Sequence, residues 1–349
     1  MINQSFMDLA FEEAKQGEST WTNPQVGAVI VKNNQVLAKG HHEKFGGPHA
    51  EVNTLNHLEN IKDAEDSTMY VTLEPCSHFG KTPPCVQKVV EVGIKHVVIG
   101  MQDPNPIVSG NGIKYLQDHN VEVDVLNQTG GINEAYIFYY QNKRPLVTVK
   151  YAMSLDGKIN QSNHERTILT GKTAYLDSQN VRAANQAIMI GQHTLEIDDP
   201  YLTVRSQDMD FPPIRVVAVY DVNKLSQDLN IFKSSGAKLW ILSRTESNRK
   251  LPDDVEVFVS DTWTPDKVVK LLAKNNIESL LVEGGSRIHA DFVKEKLVDK
   301  IIIYQAPIVL GGHGLSAVYA DYPSSEIKFN KVQITQLGDD LKIESRRSE

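Results

Sequence analysis

Short apolar runs alternate with amphipathic stretches along this chain, and the alternation is broken once, at Arg144-Pro145. Before the break, 26–31, 69–73, 96–100 and 121–126 read as strands. The stretches 7–14, 50–58, 84–92 and 133–140 carry helical spacing. Asn33-Asn34 is turn chemistry, so 35–39 pairs back as a hairpin. After the break the pattern restarts, with strands over 146–151, 187–191, 214–220, 239–243, 280–282 and 301–304. Strands alternating with helices predict α/β layers with largely parallel sheets. At 349 residues, a chain patterned this way is expected to form two domains, 1–145 and 146–349.

Charge and cysteine content narrow the function. Lys and Arg number 36 against 44 Asp and Glu, a net charge of −8, which argues against a bulk electrostatic grip on nucleic acid. The first residues show no basic, apolar leader pattern, and no apolar run approaches the ~20 residues that cross a bilayer. A cytoplasmic setting is the expectation. The two cysteines, Cys76 and Cys85, exclude a disulfide-rich scaffold and leave a bridge, two bland thiols or two metal ligands.

Three segments of the first domain bear on that choice. His49-Ala50-Glu51 opens a predicted helix, Glu74-Pro75-Cys76 follows a predicted strand, and Pro83-Pro84-Cys85 opens the next helix. One imidazole and two thiolates leave a tetrahedral Zn2+ one open position, the pattern of a catalytic site. Zinc lowers the pKa of a bound water, and Glu51, two residues past His49, is placed to carry the proton to a leaving amine. Zinc deaminases use a His-x-Glu segment followed by Pro-Cys-x-x-Cys, with the glutamate not a ligand. Here nine positions separate the cysteines instead of three, so the loop between them must fold back, carrying Lys81 close to the metal. His78 is a rival ligand, and a closed structural site with two histidines is the bland alternative.

The second half lacks a Gly-x-Gly-x-x-Gly fingerprint. It offers an apolar run, 280–282, leading through Glu283-Gly284-Gly285 into Ser286-Arg287-Ile288. Glycines permit close backbone approach, and free N–H groups at a helix start suit a phosphate. An ordinary strand–helix turn explains the segment equally well.

The run Pro75-Cys76-Ser77-His78-Phe79-Gly80-Lys81-Thr82-Pro83-Pro84-Cys85, with Asn23-Pro24, Gly40-His41-His42 and Gln102-Asp103-Pro104-Asn105-Pro106, resembles the bifunctional deaminase/reductase family of riboflavin biosynthesis. Lys150, Ser154-Leu155-Asp156-Gly157-Lys158, Asp198-Asp199-Pro200 and Val282-Glu283-Gly284-Gly285 extend the likeness through the second half. The resemblance implies a cytidine-deaminase-like three-layer domain followed by a dihydrofolate-reductase-like domain. The first would deaminate 2,5-diamino-6-(5-phosphoribosylamino)pyrimidin-4-one, and the second would use NADPH to reduce the ribosyl chain of the product.

By family position, Asn23, His42, Lys81, Asp103 and Asn105 would hold the first substrate. Lys150 would polarise the reacting sugar carbonyl or imine, while Arg166, Arg182, Leu202, Arg205 and Glu283 would face the second substrate. Two arginines suit a ribose phosphate through bidentate contacts. Met153, Ile168, Thr194, Asp198, Gly285, Ser286, Arg287 and Ile288 would line the NADPH site. The chain departs from the family pattern at Met153, at Val222, and at Arg166-Thr167-Ile168, where relatives carry Ser-x-Trp. Relatives also associate through the reductase domain, so a homo-oligomer is implied. Two other classes remain open: a zinc deaminase core that edits nucleic acid, and a reductase-like half that serves assembly without catalysis.

Overall fold

A computed structural model describes residues 2–18, 20–79, 83–162, 166–234, 236–320 and 326–348. The chain divides into two compact units, Met1–Lys143 and Arg144–Glu349.

In the first unit, Asn3 caps α1 (Gln4–Ala14), its side chain accepting the Ser5 N–H at 3.1 Å. β1 (Gly27–Lys32) and β2 (Gln35–His41) form a hairpin across Asn33 and Asn34, whose φ of 53° and 61° is the left-handed pair a tight turn requires. There follow α2 (Ala50–Asn56), β3 (Thr68–Leu73), α3 (Cys85–Glu91), β4 (His96–Met101), α4 (Asn111–Asp118), β5 (Glu122–Val125) and α5 (Glu134–Asn142). Sheet order is β2-β1-β3-β4-β5. β1 runs antiparallel to both neighbours, and only β3, β4 and β5 are parallel, so this sheet is mixed rather than largely parallel.

Both faces of β1 are covered. Ala28 and Ile30 pack with Ala50, Leu55 and Val86 on one side, and Val29 and Val31 with Met7, Ala10 and Phe11 of α1 on the other. Alternation along the strand thus feeds two cores and gives three layers. Gly27 is dictated by this packing, since a Cβ there would lie 2.1 Å from the Ala10 carbonyl oxygen.

The second unit begins with β6 (Leu146–Met153), α6 (Lys172–Ala183), β7 (Ala187–Gly191), α7 (Gln192–Asp198), β8 (Ile214–Ala218), β9 (Leu239–Ser243) and β10 (Val255–Val259). It continues with α8 (Pro265–Lys274), β11 (Ser279–Val282), α9 (Ser286–Lys294), β12 (Lys300–Gln305), β13 (Phe329–Leu337) and β14 (Asp340–Arg347). Among the described residues its sheet has order β10-β9-β8-β7-β11-β6-β12-β14-β13. Pairing is parallel from β10 to β12 and antiparallel beyond. From β7 the chain proceeds toward β10, whereas from β11 it crosses to β12. The gap between β7 and β11 is therefore a topological switch point, where open α/β sheets hold ligands at their strand C-termini.

Arg144 does more than mark a break. Its guanidinium grips Asp299 through two bonds of 2.6 and 2.7 Å, and Asp299 also accepts the Val147 N–H at 3.0 Å. The pair thereby fixes the start of β6 against the residue preceding β12.

Candidate zinc centre and reductase cleft

His49 is the N-cap residue of α2, Cys76 follows the end of β3, and Cys85 is the first residue of α3. Their ligand atoms lie within 4.8 Å of one another, forming the one three-residue metal-ligating cluster found among the described residues. His49 Nδ1 stands 3.5 Å from Cys76 Sγ and 3.4 Å from Cys85 Sγ. Two ligands of a tetrahedral zinc, one thiolate and one imidazole, are separated by about 3.6 Å when standard bond lengths are used. The donor set and its spacing fit zinc.

Charge within the cluster is shared unequally. Hydrogen bonding with Cys85 and His49 overcomes burial and pulls Cys76 down to about 4. The bond to Cys76 pushes His49 up to about 9, and contact with Cys76, reinforced by burial, holds Cys85 well above the ordinary thiol range. Metal capture here would displace those protons. Glu51 is 4% exposed, and burial with the nearby Cys76 lifts its carboxyl to about 7. A carboxyl that gains and loses a proton near neutrality suits proton transfer.

Around this centre, Asn23 Nδ2 meets His42 Nε2 at 3.1 Å, and His42 Nδ1 meets the Pro48 carbonyl at 2.9 Å. The His42 and His49 rings stand edge to face at 5.6 Å. Burial lowers the His42 pKa. Asp103 is buried and accepts bonds from the Asn105 N–H and the Tyr136 hydroxyl, at 2.8 and 2.9 Å. Asn105 donates in turn to Tyr140 at 3.2 Å. His78 is exposed and absent from the metal cluster, and burial pushes the Asp103 carboxyl up to about 6. Lys81 lies outside the described residues.

In the second unit, Glu283 follows β11 and collects two cations. Arg182 of α6 engages it through Nε at 2.9 Å and Nη2 at 2.5 Å, and Lys150 Nζ of β6 lies 3.6 Å away. Burial alone would raise the Glu283 pKa, but Arg182 and Lys150 outweigh it and hold it down to about 2. Lys150 also sits 5.4 Å above the Tyr304 ring, and Tyr304 donates to Asp177 at 2.6 Å.

The β7–β11 switch point opens into a cavity of about 530 Å³. Thr194, Gly285, Ser286, Arg287 and Ile288 line it, with Trp263 on a further wall. Glycine is required twice there. A Cβ on Gly284 would come within 2.7 Å of Ile190, and Gly285 has φ +81°. The volume, the start of the nine-residue α9 and exposed Arg287 fit a phosphate-bearing dinucleotide.

Residues 1–101 match the family described as cytidine and deoxycytidylate deaminase zinc-binding region. Residues 145–343 match the RibD C-terminal domain. The riboflavin biosynthesis protein RibD of Bacillus amyloliquefaciens is 35% identical over 98% of this chain and 95% of its own length. The chain belongs to the RibD family. RibD of Acinetobacter baumannii, form 1, superposes with a TM-score of 0.91 at 32% identity, covering 99% of both chains. A deaminase/reductase from Thermotoga maritima gives 0.86 at 33% identity, covering 99% of this chain and 98% of that one.

Set against RibD-type expectations, the structure brings some residues together and leaves others apart. Thr194, Gly285, Ser286, Arg287 and Ile288 share the cavity, whereas Met153, Ile168 and Asp198 do not line it. Asp198 ends α7, four residues or about 6 Å of helix beyond Thr194. Ile168 is 78% exposed, and Arg166 reaches Asp198 through its charge. The Ser286 hydroxyl donates to the Ser316 carbonyl at 2.5 Å, so what it offers a ligand is its backbone N–H. Leu202 is 2% exposed in the hydrophobic core with φ 55°, which leaves only its backbone for contact.

Arg182 makes its contacts within the protein. Its fork is taken by Glu283, and Nη1 donates to the Thr203 carbonyl at 2.9 Å. Arg205 is exposed and stacks 5.6 Å over the Tyr175 ring. Sequence reasoning passed over Glu74, Tyr136, Tyr140 and Tyr304. Tyr136 and Tyr140 had a readable signal, a helical spacing of four that puts both on one face.

Proposed function

We propose that this chain catalyses two consecutive steps of riboflavin biosynthesis. Residues 1–145 deaminate 2,5-diamino-6-(5-phosphoribosylamino)pyrimidin-4-one, and residues 146–349 reduce 5-amino-6-(5-phosphoribosylamino)uracil with NADPH. The observation that carries the reading is the triangle of His49, Cys76 and Cys85 with buried Glu51 beside it. Zinc, held by those three residues, supplies the Lewis acidity that makes water nucleophilic near neutral pH. Asn23, His42, Asp103 and Asn105 orient the pyrimidine. Glu51 takes a proton from the attacking water and delivers it to the amine, which leaves as ammonia while the carbonyl forms. Lys81 serves the ribose phosphate.

NADPH, when bound, would supply the hydride that the second step needs. Lys150, held by Glu283 and the Tyr304 ring, polarises the reacting oxygen or nitrogen and gives it a proton. Arg182 acts through Glu283, and Arg205 takes the phosphate. A homo-oligomer assembled through residues 146–349, in the cytoplasm, belongs to the same reading. Exposed Leu155 and Val309 support it, since Asp156 accepts the Leu310 N–H at 3.0 Å and so joins their turns. No helix among the described residues is long and apolar enough to cross a membrane. Nucleic-acid editing leaves the RibD C-terminal domain over 145–343 without a role.

Glu51→Gln in the zinc-loaded full chain tests the first step. Deamination should fall about 10³-fold while zinc content and NADPH-dependent reduction stay unchanged. Deamination at the wild-type rate would sink the assignment.

A further inference from the structure

Glu74 stands two residues before Cys76, is 4% exposed, and forms no ion pair among the described residues. Its carboxylate instead accepts four backbone N–H groups. Oε2 takes those of Asp103 at 3.2 Å and Gly110 at 3.0 Å, and Oε1 those of Gly112 at 2.9 Å and Ile113 at 3.2 Å. The last three belong to the opening of α4, where backbone donors have no partner within the helix. One side chain thus ties the segment running into Cys76 to both the Asp103 turn and α4. Close approach is built in here, because a Cβ on Gly112 would lie 2.2 Å from the Pro75 carbonyl oxygen.

A second buried contact meets the same turn from the opposite side. Tyr136, 6% exposed on α5, donates its hydroxyl to Asp103 Oδ1 at 2.9 Å, and the Asn105 N–H donates to that same oxygen at 2.8 Å. Oδ2 is left without a hydrogen bond among the described residues. One turn of helix further on, the Tyr140 hydroxyl accepts from Asn105 Nδ2 at 3.2 Å. Both side chains read above as substrate-holding are therefore set by tyrosines on a single helical face, and one carboxylate oxygen is kept open.

We propose that Glu74 and Tyr136 are positioning residues for deamination, locking the Asp103–Asn105 turn relative to Cys76 so that Asp103 Oδ2 and Asn105 present a fixed polar edge to the pyrimidine ribotide. The proposal rests on the reading of Asp103 as a substrate-holding residue. Neither residue touches the reacting atoms. They act through Asp103, so removing them weakens substrate holding and leaves the proton transfer at Glu51 in place. A loss of folded protein would do the opposite, lowering the rate per chain and the zinc content with no change in KM.

The test uses the zinc-loaded full chain and steady-state deamination of the diaminopyrimidine ribotide. Tyr136→Phe should raise KM about tenfold with kcat within about twofold and zinc content unchanged. Glu74→Gln should raise KM at least as much, because an amide offers one acceptor oxygen to four donors. Asp103→Asn should raise KM by itself, and adding Tyr136→Phe to it should cost little more, the non-additivity of two groups acting as one. An unchanged KM in Tyr136→Phe, or a tenfold rise that persists in the Asp103→Asn background, overturns the positioning role. An unchanged KM in Asp103→Asn overturns the substrate-holding reading instead, and the proposal with it.

Discussion

Glu278 shows what a buried side chain costs when a hydrogen bond with Gln186 only partly offsets its burial. It lies just before β11, is 6% exposed, and burial pushes its carboxyl up to about 8. Below about pH 4.5 the group is protonated in folded and unfolded chains alike, so it carries no penalty there. Between 4.5 and 8 the unfolded chain ionises first, and stability is lost as pH rises through the folded value. Glu278→Gln should remove this dependence. Thermal unfolding at pH 9 should show the variant more stable than wild type by a few kcal/mol, with the two nearly equal at pH 4. Parallel unfolding curves at both pH values would contradict the argument. His49, Glu51, Cys76 and Cys85 could be read from the sequence because metal chemistry accepts few residue types and spacings. Glu74 could not, because its partners are backbone groups 29 to 39 positions away, and the spacing of Tyr136 and Tyr140 marks a helical face without revealing that Asp103 lies against it.

Elements with a continuous apolar run were the readable ones. β1, β3, β4, β7, β9 and β11 are all largely buried, and each stood out as such a run. β13 was missed because its burial pattern is almost wholly exposed, so hydrophobic patterning has nothing to register. β10, only half-buried at the opposite end of the sheet, was missed for the same reason. The turn from β11 into α9 is the element on which the proposed NADPH site rests. Gly285→Ala forces a side chain into φ +81° and sets its Cβ 3.1 Å from Thr194 Oγ1. The KM for NADPH should rise about five- to tenfold with deamination unaffected. A KM equal to wild type would remove this turn from the cofactor site.

Across the whole molecule, the two activities draw on separate cores. The zinc ligands fall between His49 and Cys85, over the core of the first unit, while the cavity draws its walls from Met189 to Tyr319. Stripping zinc with a chelator should therefore lower deamination at least ~100-fold and leave NADPH oxidation on the deaminated product within about twofold. Equal loss of both rates would show that the reactions are coupled. The break at Arg144-Pro145 was visible as a change of pattern, but the bond from Arg144 to Asp299 spans 155 positions and needed the fold.

The outer strand β13 bears on how such a chain survives at high concentration. Val332 and Ile334 on it are 59% and 65% exposed, a combination that invites strand-by-strand stacking into fibres. Its pairing with β14 slips between Asn330 and Gln333, and Lys331, inside the slip, has φ 52°. The kink and the charge interrupt the row of free donors and acceptors that a second strand would need. Edge-to-edge polymerisation is thus discouraged by a local irregularity in the outer strand.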